Sequence, residues 1–561
     1  MGALGYGRPP LNCDEKRQMK FAHELSADKL RGGFYTPDNL ADDCLKRVRR
    51  LLGDRSKIDL LEPSAGDGAF VRAVGRAIDR SDFENVRVTG IELNEGEAAK
   101  AKTALSDINA SGSIHNCSFF DWANSSECLF DCIVGNPPFV RYQFVKPSDR
   151  VAADELLASA GLSFDGVSNL WIPFVVGSLN LLKPDGSFCF VLPSELLTIK
   201  SAGLVRSELI RHCDSLSVDF YPPGTFENIL QGIIVLAGKK TRRIKSGCEV
   251  EFSDRGTRDS GSWNHFVSDS KNNWTKYLLS PALLTSYNAA SELPGIATLG
   301  TVADISVSNV TGANKFFTVT GDTVENFELE AWAIPLLART ADCEGLAFLA
   351  KDHRRAVDAG QRAYLLNFAA NKPDPMSFAK SREYIEAAES EKIHERYKCR
   401  IRNPWYRLHD VRAGKLMLTK RAHQFHRLLL NSTKAMTTDT VYRGSIKPIF
   451  ARSEKDLIAG FHNSLTILST ELEGRSYGGG VLELIPSEIK RILIPVVQLK
   501  HEFSALDKVC RSAGGQRDTE DLLISATDKL LASNYSELKE LMPDMESARR
   551  LLRDRRWNAS S

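Results

Sequence analysis

The chain has no C-x-x-C pair, although it carries eleven cysteines in 561 residues. They are scattered from Cys13 to Cys510, their number is odd, and Cys132 and Cys189 sit in apolar runs. This argues against a zinc ribbon and for buried free thiols in a reducing cytoplasm, with no metal expected. No apolar stretch approaches the ~20 residues of a membrane span. Met1 to Pro10 lack the charged region and apolar core of a secretion signal, and Tyr6 stands where a myristoylation site wants Ser or Thr. Internal repeats and low-complexity tracts are missing as well. A strong charge imbalance is also absent: the formal net charge is +2, so any nucleic-acid surface must be a local patch.

What is present is a long chain of ordinary globular composition. At roughly 100–200 residues per domain, the length implies two to four domains. Residues 1–45 read as an N-terminal arm, with a helix over Lys16–Leu30. After the turn Gly33-Phe34-Tyr35-Thr36-Pro37, Pro37 is positioned to open a further helix over Asp38–Leu52. From 46 to 245 the pattern alternates between strand and helix. Strands are expected at Ile58–Leu61, Val86–Ile91, Phe130–Val134, Ser187–Leu192 and Gly232–Ala237. Helices are expected at Ala69–Ile78, Glu95–Leu105 and Asn169–Leu182, the last ended by the turn Lys183-Pro184-Asp185-Gly186. Such alternation predicts an α/β, Rossmann-like doubly wound sheet with helices on both faces. Beyond about Lys245 the chain turns polar, and 246–561 reads as a separate mixed α+β region ending in helices.

Two constellations carry chemistry. Leu60-Leu61-Glu62-Pro63-Ser64-Ala65-Gly66-Asp67-Gly68-Ala69-Phe70 follows the first strand and opens a helix. Gly66 and Gly68 let the backbone turn tightly and approach a ligand. The run is not G-x-G-x-x-G, and Glu62 suits a cationic ligand where a pyrophosphate would be repelled. Glu92, at the end of the second strand, is placed to accept ribose hydroxyls. The other constellation is Asn136-Pro137-Pro138-Phe139, directly after the apolar run Phe130–Gly135. It sets an amide, two rigid prolines and an aromatic ring where open α/β sheets bind ligands. Carbonyl oxygens for two N–H groups and a flat stacking partner suit an exocyclic amino group on a heteroaromatic ring.

On these residues the chain resembles the adenine-N6 DNA methyltransferases of restriction–modification systems, in the class that runs cofactor site, catalytic site, recognition region. The resemblance implies a class I methyltransferase sheet, S-adenosyl-L-methionine as cofactor, double-stranded DNA as substrate and a bacterial host. It also implies a monomer with a possible separate cognate restriction endonuclease. By resemblance, Thr36 lies in the segment closing over the cofactor's methionine part, and Glu62, Pro63, Ala65, Gly66 and Gly68 form the glycine loop. Glu92 is the ribose acid. Asn136 to Phe139 are catalytic, and Arg141 and Tyr142 follow them as substrate contacts. Phe226 faces the target base. One position departs from the family: Ser118 stands where an acid usually holds the cofactor adenine, with Phe119 at the stacking position and Asp121 as an alternative acid.

The second half supplies the expected DNA surface. Residues 392–427 hold Lys392, Arg396, Lys398, Arg400, Arg402, Arg407, Arg412, Lys415, Lys420, Arg421 and Arg427, against two acids, Glu395 and Asp410. Trp405, Tyr406, Phe425, His423 and His426 interleave, and Trp405 and Arg407 are taken as DNA contacts. Val310–Phe317 and Gly474–Leu482 resemble the family's recognition region. Rival readings are an RNA or protein amino-group methyltransferase, a bifunctional restriction–modification enzyme, for which Glu488-Ile489-Lys490 offers only an E-x-K spacing expected by chance, and a non-catalytic DNA-binding subunit.

Overall fold

In the computed structural model, Pro37 stands at the N-cap of α1 (Asp38–Leu52), where its fixed φ is compatible with entry into the helix. Leu40, Ala41, Cys44, Leu45, Val48 and Leu52 fall on one face of α1 and are buried. The structure describes residues 35–162, 167–221, 232–255, 261–268, 273–450, 452–477, 480–512 and 518–558. The expected helix over Lys16–Leu30 and the residue Phe226 lie outside them. The chain divides into two compact units, Met1–Trp274 and Thr275–Ser561.

The first unit is built on nine strands: β1 (Lys57–Glu62), β2 (Asn85–Glu92), β3 (Ser111–Asn116), β4 (Phe130–Gly135), β5 (Leu182–Pro193), β6 (Cys213–Tyr221), β7 (Ile233–Lys240), β8 (Cys248–Asp254) and β9 (Ser262–Val267). Their order is β3-β2-β1-β4-β5-β7-β6-β8-β9. β3 to β5 run parallel, and β7 is antiparallel to both its neighbours. Alternate residues serve two cores. Leu60, Val88, Cys132, Val134, Cys189, Val191 and Val235 join α1, α2 (Ala69–Asp79) and α3 (Glu95–Ser106). Their neighbours Ile133, Phe188 and Phe190 are equally buried and face the other way. Helices α4 (Phe119–Ser125), α5 (Pro147–Ser159) and α6 (Trp171–Asn180) pack on one another, with Phe119 stacked on Phe174 at 4.8 Å. Burial on both faces explains why the central strands read as continuous apolar runs.

Three expectations shift. The boundary at residue 45 falls inside α1, which packs on β4, β5 and β7 and so belongs to the first unit. The boundary at 245 moves to Trp274, because β8 and β9 extend the same sheet through β6. Lys183–Gly186 is no clean turn after a helix. α6 stops at Asn180, and 182–186 already belong to β5, with Asp185 in the left-handed region and a register shift opposite Phe130–Cys132.

The second unit holds a five-stranded and a four-stranded sheet and smaller ladders. Val310–Phe317 leads into the four-stranded sheet at Thr318–Val319. The strands Arg475–Tyr477 and Val481–Glu483 pair with each other, and the second pairs with Arg421–Ala422. The C-terminal helices are Asp518–Asn534 and Ser536–Asn558, the latter packed on Ser464–Glu473 and Pro281–Glu292.

Candidate active site

Because β1, β2 and β4 are parallel, Glu62, Glu92 and Gly135 end on one edge of the sheet. The chain reverses its strand order between β1 and β4, which makes this edge a topological switch point. The loop after β1 and the segment after β4 meet there. A Cβ on Gly135 would lie 3.2 Å from Cδ of Pro63, and the Ser64 hydroxyl donates to the Asn136 carbonyl at 3.1 Å.

Asn136 is half-buried, and its Nδ2 donates to Oγ1 of Thr36 at 3.2 Å across 100 residues of sequence. Two positions singled out separately in the sequence are thus joined. Pro137 is buried, and Pro138 and Phe139 are half-buried. Tyr142 donates its hydroxyl to Asp154 at 3.0 Å and lies under the guanidinium of Arg150, so its polar end is turned to α5. Arg141 is exposed and bridges by its backbone to Asn169.

The glycine loop is held by its neighbours. Ala65 N–H donates to the Ile91 carbonyl at 2.8 Å, and Gly66 N–H donates to Oε2 of Glu92 at 2.8 Å. The other oxygen of Glu92 accepts from Asn94 N–H at 2.7 Å. Gly66 and Gly68 have φ of 52° and 85°, the left-handed region that favours glycine. Glu62 is 1% exposed, and its Oε2 is buried without a hydrogen-bond partner. Burial holds its carboxyl well above the usual carboxylate range. Asp67 and Glu92 add repulsion, and Arg72, engaged with Asp67 at 2.9 Å, opposes it. An acidic cluster with an orphaned carboxyl oxygen fits the cationic sulfonium and ammonium of S-adenosylmethionine better than a phosphate.

At the end of β3, Ser118 is buried at the N-cap of α4 and Asp121 is exposed within its first turn. Phe119 is 2% exposed, its ring sandwiched into the core by Phe120 and Phe174. Ser64 stands inside the glycine-loop run and Asn169 at the expected start of the following helix, and neither was assigned a site role from sequence. Asn169 is buried with an unpartnered Oδ1 beside the Arg141 backbone. The signal for it was its place just before α6.

In the second unit, Trp405 donates to Oε1 of Glu389 at 2.7 Å and packs on Phe316, and Arg407 donates to the Phe368 carbonyl at 3.4 Å. Both are half-buried with internal partners. Glu488 is 4% exposed, paired to Arg475 and capping Ile485 N–H, which gives it a structural task. Among the described residues no group of three or more His, Cys, Asp or Glu is arranged to hold a metal ion.

Two family profiles match this chain. One, described as the Eco57I restriction-modification methylase, covers residues 75–223 and so includes Asn136–Phe139. The other, described as the C-terminal domain of Type II methyltransferase M.Eco57I, covers residues 271–531. Type II methyltransferase M.AccI of Acinetobacter calcoaceticus is 23% identical over 94% of this chain and 98% of its own length. The chain belongs to the restriction–modification DNA methyltransferases. Type II methyltransferase M.BanIII of Aneurinibacillus aneurinilyticus is 26% identical over 41% of this chain and 42% of its own. Among solved structures, the DrdV–DNA complex superposes with a TM-score of 0.50 at 11% identity, over 90% of this chain and 60% of that one, a likeness of fold. This methyltransferase thus has the class I sheet, with β8 and β9 added at its edge. No helix among the described residues is long and apolar enough to cross a membrane.

Proposed function

We propose that this chain transfers a methyl group from S-adenosylmethionine to the N6 amino group of an adenine flipped out of double-stranded DNA. The observation that carries the reading is the Asn136 amide, bonded to Thr36 at the sheet edge where Glu62 keeps an unpaired buried oxygen. The cofactor would supply an electrophilic methyl on a sulfonium. Glu62 would meet its ammonium group and Glu92 its ribose hydroxyls. Ser118, Phe119 and Asp121 remain the candidates for its adenine end.

The amino group of adenine is a poor nucleophile because its lone pair is delocalised into the ring. The Asn136 side-chain oxygen and the Pro137 carbonyl would each accept one N–H. That pulls the nitrogen toward tetrahedral geometry and localises the lone pair. The same dipoles stabilise positive charge developing on nitrogen, and they are preorganised by the prolines, by the bond to Thr36 and by the bond from Ser64. Phe139 would stack on one face of the base, with Phe226 as the candidate for the other. Unstacking the base costs a few kcal/mol, which contacts to DNA must offset. Asn at the head of the tetrapeptide points to adenine rather than to the cytosine amino group. A separate cognate nuclease and a monomeric state complete the reading.

Asn136→Ala tests it. The variant should keep cofactor affinity by calorimetry and lose methyl transfer to unmodified genomic DNA. Modification-sensitive long-read sequencing of the wild-type product should report N6-methyladenine at one motif. Wild-type turnover by the variant, or methylation confined to RNA or protein, sinks the assignment.

A further inference from the structure

Exposed apolar side chains and exposed cations coincide at one place in the second unit. Val310 is 39% exposed, Tyr397 67% and Ile401 65%. Arg396, Lys398 and Arg400 are exposed between and beside them. Tyr397–Arg400 is a single helical turn, and Val310 lies in a loop 87 residues earlier in the chain.

The two segments are locked together. A Cβ on Gly312 would lie 2.6 Å from Cβ of Lys398. Arg402 donates to the carbonyls of Thr311 at 2.7 Å and Val310 at 2.8 Å, and its guanidinium lies over the ring of Phe317 at 5.9 Å. Arg402 is half-buried, burial lowers its pKa, and its bonds to Thr311 and Val310 are both spent inside the joint. From behind, Asn309 N–H and its side-chain amide both donate to the Thr437 carbonyl, and Asn314 donates to Asp439 at 3.2 Å. The Val310 loop is therefore a fixed ridge.

Charge decides what the ridge fits. Among the described residues, Arg396, Lys398 and Arg400 make no ion pair, and Arg400 lies over the Tyr397 ring at 5.5 Å. Of the two acids in the basic stretch, Asp410 is paired with Arg412 and Arg443, which leaves Glu395. An apolar crest flanked by unpaired cations complements a polyanion that also presents flat or apolar groups. We infer that this ridge is a duplex-DNA contact surface: Arg396, Lys398 and Arg400 take phosphates, and Val310, Tyr397 and Ile401 lie against sugar and base edges. The inference rests on DNA being the substrate.

The test is duplex-DNA binding by the full chain, followed by fluorescence anisotropy across a salt series, on labelled genomic fragments. Removing a phosphate contact lowers the slope of log affinity against log salt by about 0.9. The triple variant Arg396→Ala, Lys398→Ala, Arg400→Ala should lose roughly 2–3 units of slope. The control Lys508→Ala, Lys529→Ala, Lys539→Ala removes equal charge from exposed positions elsewhere in the unit and should keep the slope. Tyr397→Ala should weaken binding roughly tenfold with the slope unchanged, as loss of an uncharged apolar contact does. Lys398→Ala alone, with a drop of about one unit, serves if the triple variant does not fold. Equal slopes in the ridge and control variants overturn the ridge while leaving the methyltransferase reading intact. Failure of the wild type to bind duplex DNA at any salt overturns both.

Discussion

Replacing Glu62 with Gln should move two measurements in opposite directions. In the cofactor-free protein the Glu62 carboxylate is buried, has an oxygen without a partner, and feels Asp67 and Glu92. Its folded pKa is raised. The stability it contributes is therefore fully present below the unfolded pKa and is lost as pH rises through the folded one. Gln removes that penalty, so Glu62→Gln should melt higher than wild type at neutral pH without cofactor, with the gain shrinking as pH falls. Cofactor affinity should go the other way. Removing one partner of a buried charge pair costs about 2–4 kcal/mol, or roughly 30- to 700-fold in Kd. Wild-type affinity should climb with pH as Glu62 ionises, and the Gln variant's should stay flat. Calorimetric titration with S-adenosylmethionine from pH 5 to 8, with thermal melts of the free proteins, reads both. A variant that binds as well as wild type, or retains the wild-type pH slope, refutes the pairing of Glu62 with the ammonium group. Lower melting together with weaker binding refutes the strain argument.

Thr36→Val removes the partner of Asn136 Nδ2 at nearly constant volume; single-turnover methylation should slow roughly 2- to 13-fold, the worth of one hydrogen bond of about 0.5–1.5 kcal/mol, with cofactor Kd little changed. Arg556 is 4% exposed and spans Glu471 at 2.7 Å, the Gln424 carbonyl at 2.9 Å and the carbonyls of His423 and Gly480. Arg556→Ala leaves Glu471 buried and unpaired and should cost about 3–5 kcal/mol in urea unfolding of the second unit. Burial pushes the Asp528 carboxyl from 3.8 up to about 6, although Ser464 donates to it from both N–H and hydroxyl. Its stabilising contribution is present below about pH 4 and lost by about pH 6. Asp528→Asn should flatten the difference in melting temperature across that window, and a difference equal to wild type's would show the carboxyl to be unstrained.

The first unit was legible because its signals are local and repeat. Alternation of apolar runs with helical spacing located β1, β2, β4, α2 and α3 to within a residue or two, since β4 is buried on both faces and β1 and β2 on at least one. The Glu62–Phe70 and Asn136–Phe139 runs stood out because glycines and prolines constrain backbone at fixed offsets. That Thr36 bonds Asn136 was not legible: the two are 100 residues apart, and only the packing of α1 on the sheet brings them together. The same limit misplaced the boundary at 245. β9 is a half-exposed strand at the sheet edge, with buried residues only at alternate positions, so its sequence reads as polar. Edge strands carry a weaker hydrophobic signal than the core strands that define the domain.

The basic stretch of the second unit shows why composition locates a surface without orienting it. Trp405 and Arg407 look like nucleic-acid contacts by residue type, and Tyr397 and Lys398 look no different. What separates them is the turn they occupy. Residues 393–400 form two single helical turns, too short for any 3.6-residue period to mark an inner face. The outcome is set by partners distant in sequence: Glu389 and Phe316 draw Trp405 inward, the Phe368 carbonyl takes Arg407, and Gly312 receives Lys398 at its base. Once these are satisfied, Tyr397 and Ile401, four residues apart across the turn, are left outside with the unpaired cations. Recognition surfaces made from such turns are free to change residue by residue while the sheets behind them hold still.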